Sequence, residues 1–408
     1  MLQICYHSFE ILNIYAIIMD EGLMHITRNF GTVLLAVLMT AGIFGLVACS
    51  GSSGSDSASD DEFSTEDEVT VAAEETVEEE EEEDEEDEEE EVAPEGMYRS
   101  ELTNEWISED IKDQRPIAVM VDNESTALYH YGLSQADIVY EMMNSTANGY
   151  ITRFMALFKD YESIDMIGSI RSTRPTNLMI APEWNAIVCH DGGPVYINTY
   201  LANDYVDNFS GGFTRVSNGK SYEFTEYICD DDMEQKFANS SVDKEYNEYA
   251  PTEDHFQFAS ESNPVVLSEV YSSAISATYI DLPFDHNGSE LQYDEESGTY
   301  LYYEYGKAHI DPGNNNTQLA FTNVILQEMS YSQLDSNGYM VWNCLDESWQ
   351  YTGYYITGGE AIEIHWTKHS DTDRTIYYDE NGEEITINTG KTYIAFVADN
   401  RWDELVVE

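Results

Sequence analysis

The sequence predicts an α+β protein dominated by strands: a β-rich layered sandwich with a few helices packed on its sheets, preceded by a signal peptide and a disordered acidic tether. Three observations predict it. Period-two and β-branched or aromatic runs recur through residues 97 to 408. The helical stretches among them are short and bounded by proline or glycine. The first 96 residues divide instead into an apolar stretch that ends at Cys49 and an acidic run with too little apolar surface to pack.

In chain order, the stretch from Phe30 to Ala48 carries no charged side chain, Arg28 lies just upstream, and the small residue Ala48 precedes Cys49. This is the layout of a bacterial lipoprotein signal, in which the cysteine is lipidated and becomes the new N-terminus. An uncharged run of about 18 residues can also span a bilayer, but a plain anchor has no use for a cysteine at the point of lipid attachment. Asp20 and Glu21 put the wrong charge before a signal core, so Met24 is the expected start and residues 1–48 the expected signal peptide. Both readings place the rest of the chain outside the cytoplasm.

Residues 49–96 are expected to be a lipid-bearing linker. Positions 51 to 96 hold 24 acids and no Lys or Arg, too much repulsion and too little burial to offset chain entropy. The role expected of them is a solvated spacer. At roughly 3.3 to 3.6 Å per residue such a spacer reaches at most about 160 Å.

From Met97 onward, Pro116–Asp122, Ile138–Met142, Tyr150–Phe158 and Ala186–His190 read as strands. Arg174–Trp184 reads as a short helix, with Pro175 in its first turn, and Val195–Asn203 as a second. A meander follows over Phe321–Gln327, Tyr339–Cys344, Tyr351–Thr357, Ile362–Thr367, Arg374–Asp379, Glu383–Ile387 and Thr392–Val397. Asn381-Gly382 predicts a type I′ hairpin turn. The middle, Asp230–Asn315, is polar, has no clear period beyond a helix near Ser268–Ser273, and reads as a link. Two domains are expected, 97–258 and 259–408, packed on each other.

This part is acidic too, with 53 acids against 16 bases, so nucleic acid is excluded as a partner. Cys189, Cys229 and Cys344 each sit among apolar or aromatic residues, which predicts three buried thiols. His365 and His369 fall on a strand running into a loop. Asp335-Ser-Asn-Gly338 and Asp371-Thr-Asp373 lack the length of a calcium loop and read as turns. No metal or cofactor is expected. Nucleotide, dinucleotide and serine-hydrolase motifs are missing from the sequence.

A family resemblance rests on ordered motifs. Arg115-Pro-Ile-Ala-Val-Met-Val-Asp-Asn123, Leu133-Ser-Gln-Ala-Asp-Ile-Val-Tyr-Glu141, Gly149-Tyr-Ile-Thr-Arg153, Ile167-Gly-Ser-Ile-Arg-Ser-Thr-Arg-Pro175 and His190-Asp-Gly-Gly193 are followed by Asn323-Val-Ile-Leu-Gln327, Trp366-Thr-Lys368 and Gly390-Lys-Thr-Tyr393. Together they resemble the YerB-like lipoproteins. The resemblance implies an extracytoplasmic lipoprotein of Gram-positive type with a β-rich α+β fold, and carries no established activity. Relatives tend to have Pro-His-Asn or a similar segment after the first-half glycines, where this chain has Ser221-Tyr-Glu-Phe224.

Read from the residues, the suggestive cluster is Arg171 and Arg174, between a strand end and a helix start, with Arg153 on a nearby strand. Guanidinium groups bind carboxylate or phosphate bidentately, and a helix N-terminus adds N–H donors. His190 and Asp191 are candidate acid or base groups for the same place, and His309 a further candidate neighbour. The competing reading pairs the arginines internally with Asp122, Asp137 or Glu141. Two functions follow. The first is a non-catalytic binding or scaffolding protein of the cell envelope, anchored through lipid on Cys49, whose partner is an envelope protein or wall polymer. The second is an enzyme on an anionic envelope substrate, a polyprenyl phosphate or wall glycopolymer. The anchor, the tether and the missing catalytic motifs favour the first.

Overall fold

The computed structural model describes residues 93–408, so the expected signal peptide, Cys49 and nearly all of the acidic run lie outside the described residues. The strands that shape the core are, in chain order, β1 (Ile117–Asp122), β2 (Ile138–Met143), β3 (Thr152–Phe158), β4 (Ile187–His190) and β5 (Asn208–Ser210). Then come β6 (Tyr279–Asp281), β7 (Glu290–Asp294) and β8 (Thr299–Glu304). The last four are β9 (Asn323–Met329), β10 (Thr352–Thr357), β11 (Glu360–Thr367) and β12 (Thr392–Ala398).

Nine of them enter one mixed sheet of eleven strands, in the order β11, β10, β9, β12, β2, β3, β1, β4, β5. Ile275–Ser276 and Ile376–Tyr378 both pair with β11. The sheet crosses from late sequence to early sequence where β12 lies parallel to β2, Thr392 facing Ile138 and Phe396 facing Met142. β6, β7 and β8 belong to a second, six-stranded sheet, which also takes in the C-terminal Val406–Val407.

Every residue of β1, β2, β3 and β12 is buried, as expected for strands covered on both faces, which read as near-continuous apolar runs. Alternation sends Ala118, Met120, Tyr140 and Met155 into one core, with Leu178, Trp184, Trp342 and Phe396. It sends Val119, Val121, Val139 and Phe154 into the other, with Ile280, Leu291, Tyr300 and Tyr302 of the second sheet. Each large side chain so buried contributes about 1.5 to 3 kcal/mol. The result is a β-rich, layered protein with few helices.

Three expectations change. The middle segment is no mere link: its Tyr and Leu residues alternate inward, Leu291, Tyr300 and Tyr302 being fully buried, and build the second sheet. The Asn381-Gly382 turn is not type I′. Gly382 has φ +84° but Asn381 is not left-handed. The Gly382 N–H donates to the Asp379 carbonyl at 3.1 Å and the Asn381 N–H to the Asp379 carboxylate at 2.8 Å, so the aspartate two residues before Asn381 sets the turn. The helices are also shorter, Asn177–Ile180 and then a 3-10 turn at Ala181–Trp184, while Val195–Thr199 is 3-10 only. Pro182 ends the first α-helical turn. Cys189, Cys229 and Cys344 are free and buried. No described helix is long and apolar enough to cross a membrane.

Candidate functional site

The site starts from a register. Asp122 ends β1 directly opposite Arg153 on β3, and such cross-strand neighbours share a face. The chain then returns: Ile170 bridges to Val121 and the Arg171 N–H donates to the Met120 carbonyl at 2.8 Å, which brings Arg171 over the same strand end. Its Nε–H donates to the Asp122 carboxylate, 3.8 Å from the Arg153 guanidinium. Arg171 also pairs with Glu223 at 3.1 Å. That glutamate belongs to the segment that departs from the family pattern.

Arg153 is held by the Ser172 carbonyl at 2.7 Å and the Asn144 side-chain oxygen at 3.2 Å. Arg174 is different. It donates to the Thr173 carbonyl at 2.9 Å, lies 5.2 Å from the Tyr339 ring centre, and has a buried Nε with no partner. Among the described residues no carboxylate forms an ion pair with it. Burial, followed by the nearby Arg153 and Arg171, pushes its pKa down to about 9. Burial lowers Arg153 to about 10 although Asp122 opposes the shift. Both stay charged at neutral pH, so an anion placed here gains two desolvated cations. Arg153 and Arg174 line one small recess of about 10 Å³, together with Asn144, Met142, Met340 and Trp342, so a carboxylate or phosphate would have to widen it to enter.

The remaining candidates sit as follows. His190 is buried, with Nδ1 2.7 Å from the Gly192 carbonyl and Nε2 2.9 Å from the Asn208 amide, and burial lowers its pKa. Both ring nitrogens are therefore engaged in fixing the loop after β4. Asp191 turns to Arg215 at 2.8 Å, which also binds the buried Glu226 at 2.6 Å. Only the backbone of this segment meets the arginines, through the Asp191 N–H to the Arg171 carbonyl at 3.0 Å. The expected helix N-terminus is a single turn starting at Asn177, and the Asn177 side chain already accepts the Arg174 N–H at 2.9 Å. Of the three acids weighed as internal partners, Asp122 is the one that pairs. Glu141 instead receives the Tyr302 and Tyr393 hydroxyls at 2.8 and 2.6 Å, and Asp137 the Lys159 N–H at 2.6 Å.

Two family models match. Residues 102–244 fit the N-terminal domain, and 280–394 the C-terminal domain, of the protein of unknown function DUF3048. The motif order, both matched domains and the fold agree. The chain belongs to the YerB-like DUF3048 family. A family relative from Bacillus subtilis (strain 168), named "Putative lipoprotein YerB", is 24% identical over 313 residues, covering 76% of this chain and 86% of the relative. The crystal structure of YerB protein from Bacillus subtilis superposes with a TM-score of 0.63 at 22% identity, over 76% of this chain and 99% of that one. At that identity the likeness shows that the YerB fold is shared.

Sequence reasoning missed one feature of this YerB-like chain, an open cleft of about 400 Å³ lined by Tyr98, Trp184, Tyr246, Pro251, Thr252 and His255. Trp184 and His255 stack there with ring centres 3.4 Å apart. It shares no lining residue with the arginine pocket. Its residues come from three distant segments with no common spacing, so no local signal marks it. His309, weighed as a candidate neighbour of the arginines, is buried beside His130.

Proposed function

We propose that this protein is a lipid-anchored, extracytoplasmic binding component of the cell envelope that grips an anionic group of an envelope protein or wall polymer with Arg153, Arg171 and Arg174. The observation that carries the reading is Arg174, a largely buried guanidinium facing a pocket with two other arginines nearby and no carboxylate bound to it. A buried cation without an anion is costly, and a ligand carboxylate or phosphate would offset that cost. Anchoring through Cys49 is supported by the apolar stretch before it and by the relative named as a lipoprotein. The acidic linker then holds the folded part away from an anionic surface.

Catalysis gains no support from the neighbouring residues. His190 has no free ring nitrogen to serve as a base, and Asp191 is held by Arg215. The test is crosslinking in intact membranes with the parent chain and an Arg174→Ala chain. A specific envelope protein or wall polymer should be captured by the parent and lost from the variant. Recovery of no specific partner by the parent would refute the reading.

A further inference from the structure

A second polar group sits inside the protein, beside Phe154. His130 comes from the loop between β1 and β2, Glu304 ends β8, and His309 follows it across the turn at Tyr305-Gly306. They are 0%, 2% and 2% exposed. One possible ligand atom from each lies within 4.8 Å of the others. The imidazole rings of His130 and His309 have centres 4.9 Å apart, and Phe154 packs against both with its edge or face.

Hydrogen bonding leaves this group incomplete. His309 Nδ1 is 2.7 Å from Glu304 Oε1, which fixes the ring and leaves its Nε2 buried without a partner. Glu304 Oε2 is unpartnered as well, and neither ring nitrogen of His130 has a partner of good geometry, the Asp122 backbone lying alongside. Buried polar atoms left unpaired are costly, and native interiors rarely tolerate several together. Nearby, Glu141 uses its hydrogen-bond capacity on Asn123, Thr152, Asn287, Ser289, Tyr302 and Tyr393, so it supplies nothing to the histidines.

We propose that His130, Glu304 and His309 bind one divalent transition-metal ion of the zinc class. Two imidazole nitrogens and one carboxylate oxygen are the donor set such ions accept. The ion would take the place of the proton between His309 Nδ1 and Glu304 Oε1, which leaves on binding, with a ring nitrogen of His130 as the third ligand. Ligand atoms about 2.0 to 2.2 Å from an ion require the group to contract by the order of 1 Å, within reach of side-chain rotation. The ion's charge would balance Glu304, against the repulsion of Lys220, which also acts on His130. Structurally it would clip the β1–β2 loop of the central sheet to the hairpin after β8 of the second sheet. Burial implies that the ion enters as the chain folds.

The experiment unfolds the full chain in guanidinium with a chelator and refolds it with no metal, with zinc sulfate, or with cobalt(II) chloride. After exhaustive dialysis, elemental analysis should give one zinc per chain. The zinc-refolded protein should melt higher than the metal-free one, and the cobalt form should show visible d–d bands. Glu304→Gln, which keeps the shape and can still hydrogen-bond His309, should retain the fold by circular dichroism yet bind zinc at least about tenfold more weakly. If the variant fails to fold, the cobalt spectrum of the parent still decides. No bound metal, no visible bands and identical melting with and without zinc would overturn the proposal, and would mean that water fills the site.

Discussion

At the scale of single residues, position in the fold decides what each acid does. Asp122, Asp137 and Glu141 stand close together in sequence, yet one meets arginines, one a backbone N–H and one a ring of hydroxyls and amides. The sequence suggested all three as arginine partners because it shows charge but not the direction of a side chain. Asp137 yields a pH prediction. Burial holds its carboxyl up at about 7 against the pull of the Lys159 N–H and Lys391, whereas an unfolded aspartate titrates near ~3.9. Between those values the native chain holds the extra proton, so this group's contribution to stability falls as pH rises from about 4 to 7 and is level above. Asp137→Asn, which can still accept from Lys159, should flatten that slope and raise stability at pH 7.5 relative to the parent. Denaturant titrations from pH 4 to 8 check this, and parallel curves for the two proteins would contradict it.

At the scale of elements, most strands were legible and their joints were not. Period-two runs locate β1 to β4 and β9 to β12 to within a few residues, because alternation is a local property of the chain. The Asn381-Gly382 turn was misread because Asp379, two residues earlier, captures the Asn381 N–H. The polar middle was misread because its buried tyrosines, Tyr300 and Tyr302, carry hydroxyls that bond inside the core and so look like surface residues in sequence. Contacts between elements also involve charge. Glu183, in the 3-10 turn Ala181–Trp184, accepts Lys368 at 2.9 Å, the Thr375 hydroxyl at 2.8 Å and the Tyr140 hydroxyl at 2.9 Å, all buried. Burial is the largest single influence and would raise its pKa, but Lys368, His255 and the hydrogen bonds from Lys368 and Thr375 together hold it low. This pair ties the turn to the loop after β11. Lys368→Met should destabilise by about 3 to 5 kcal/mol, because it leaves the carboxylate buried without a cation. The double variant with Glu183→Gln should recover part of that loss. Urea unfolding of the two variants and the parent measures both effects, and a loss below about 1 kcal/mol in the single variant would contradict the buried pair.

At the scale of the whole molecule, strand order could not be read at all. The parallel pairing of β12 with β2 joins segments some 250 residues apart, and periodicity carries no information about which strand a strand will meet. The candidate site shows the same limit. Arg171 and Arg174 are visible as a motif, and Arg153 joins them through the β1–β3 register. The engagement of His190 by Asn208, and the lack of a carboxylate on Arg174 among the described residues, required the fold. The molecule's net charge of -63 sharpens the significance of that cluster. Net repulsion disfavours anions at this acidic protein in general, and screening limits its reach to about 8 Å at physiological ionic strength, so saturable anion binding calls for a local cationic site. The most direct measurement is therefore an equilibrium titration of the folded protein with a phosphodiester-linked glycopolymer at physiological salt, comparing the parent with Arg174→Ala of unchanged melting temperature. The account predicts saturable binding by the parent and a loss of about tenfold or more in the variant, as expected when a charge-assisted contact worth about 1.5 kcal/mol or more is removed. Equal affinity for the two proteins, or no binding by either, would contradict it.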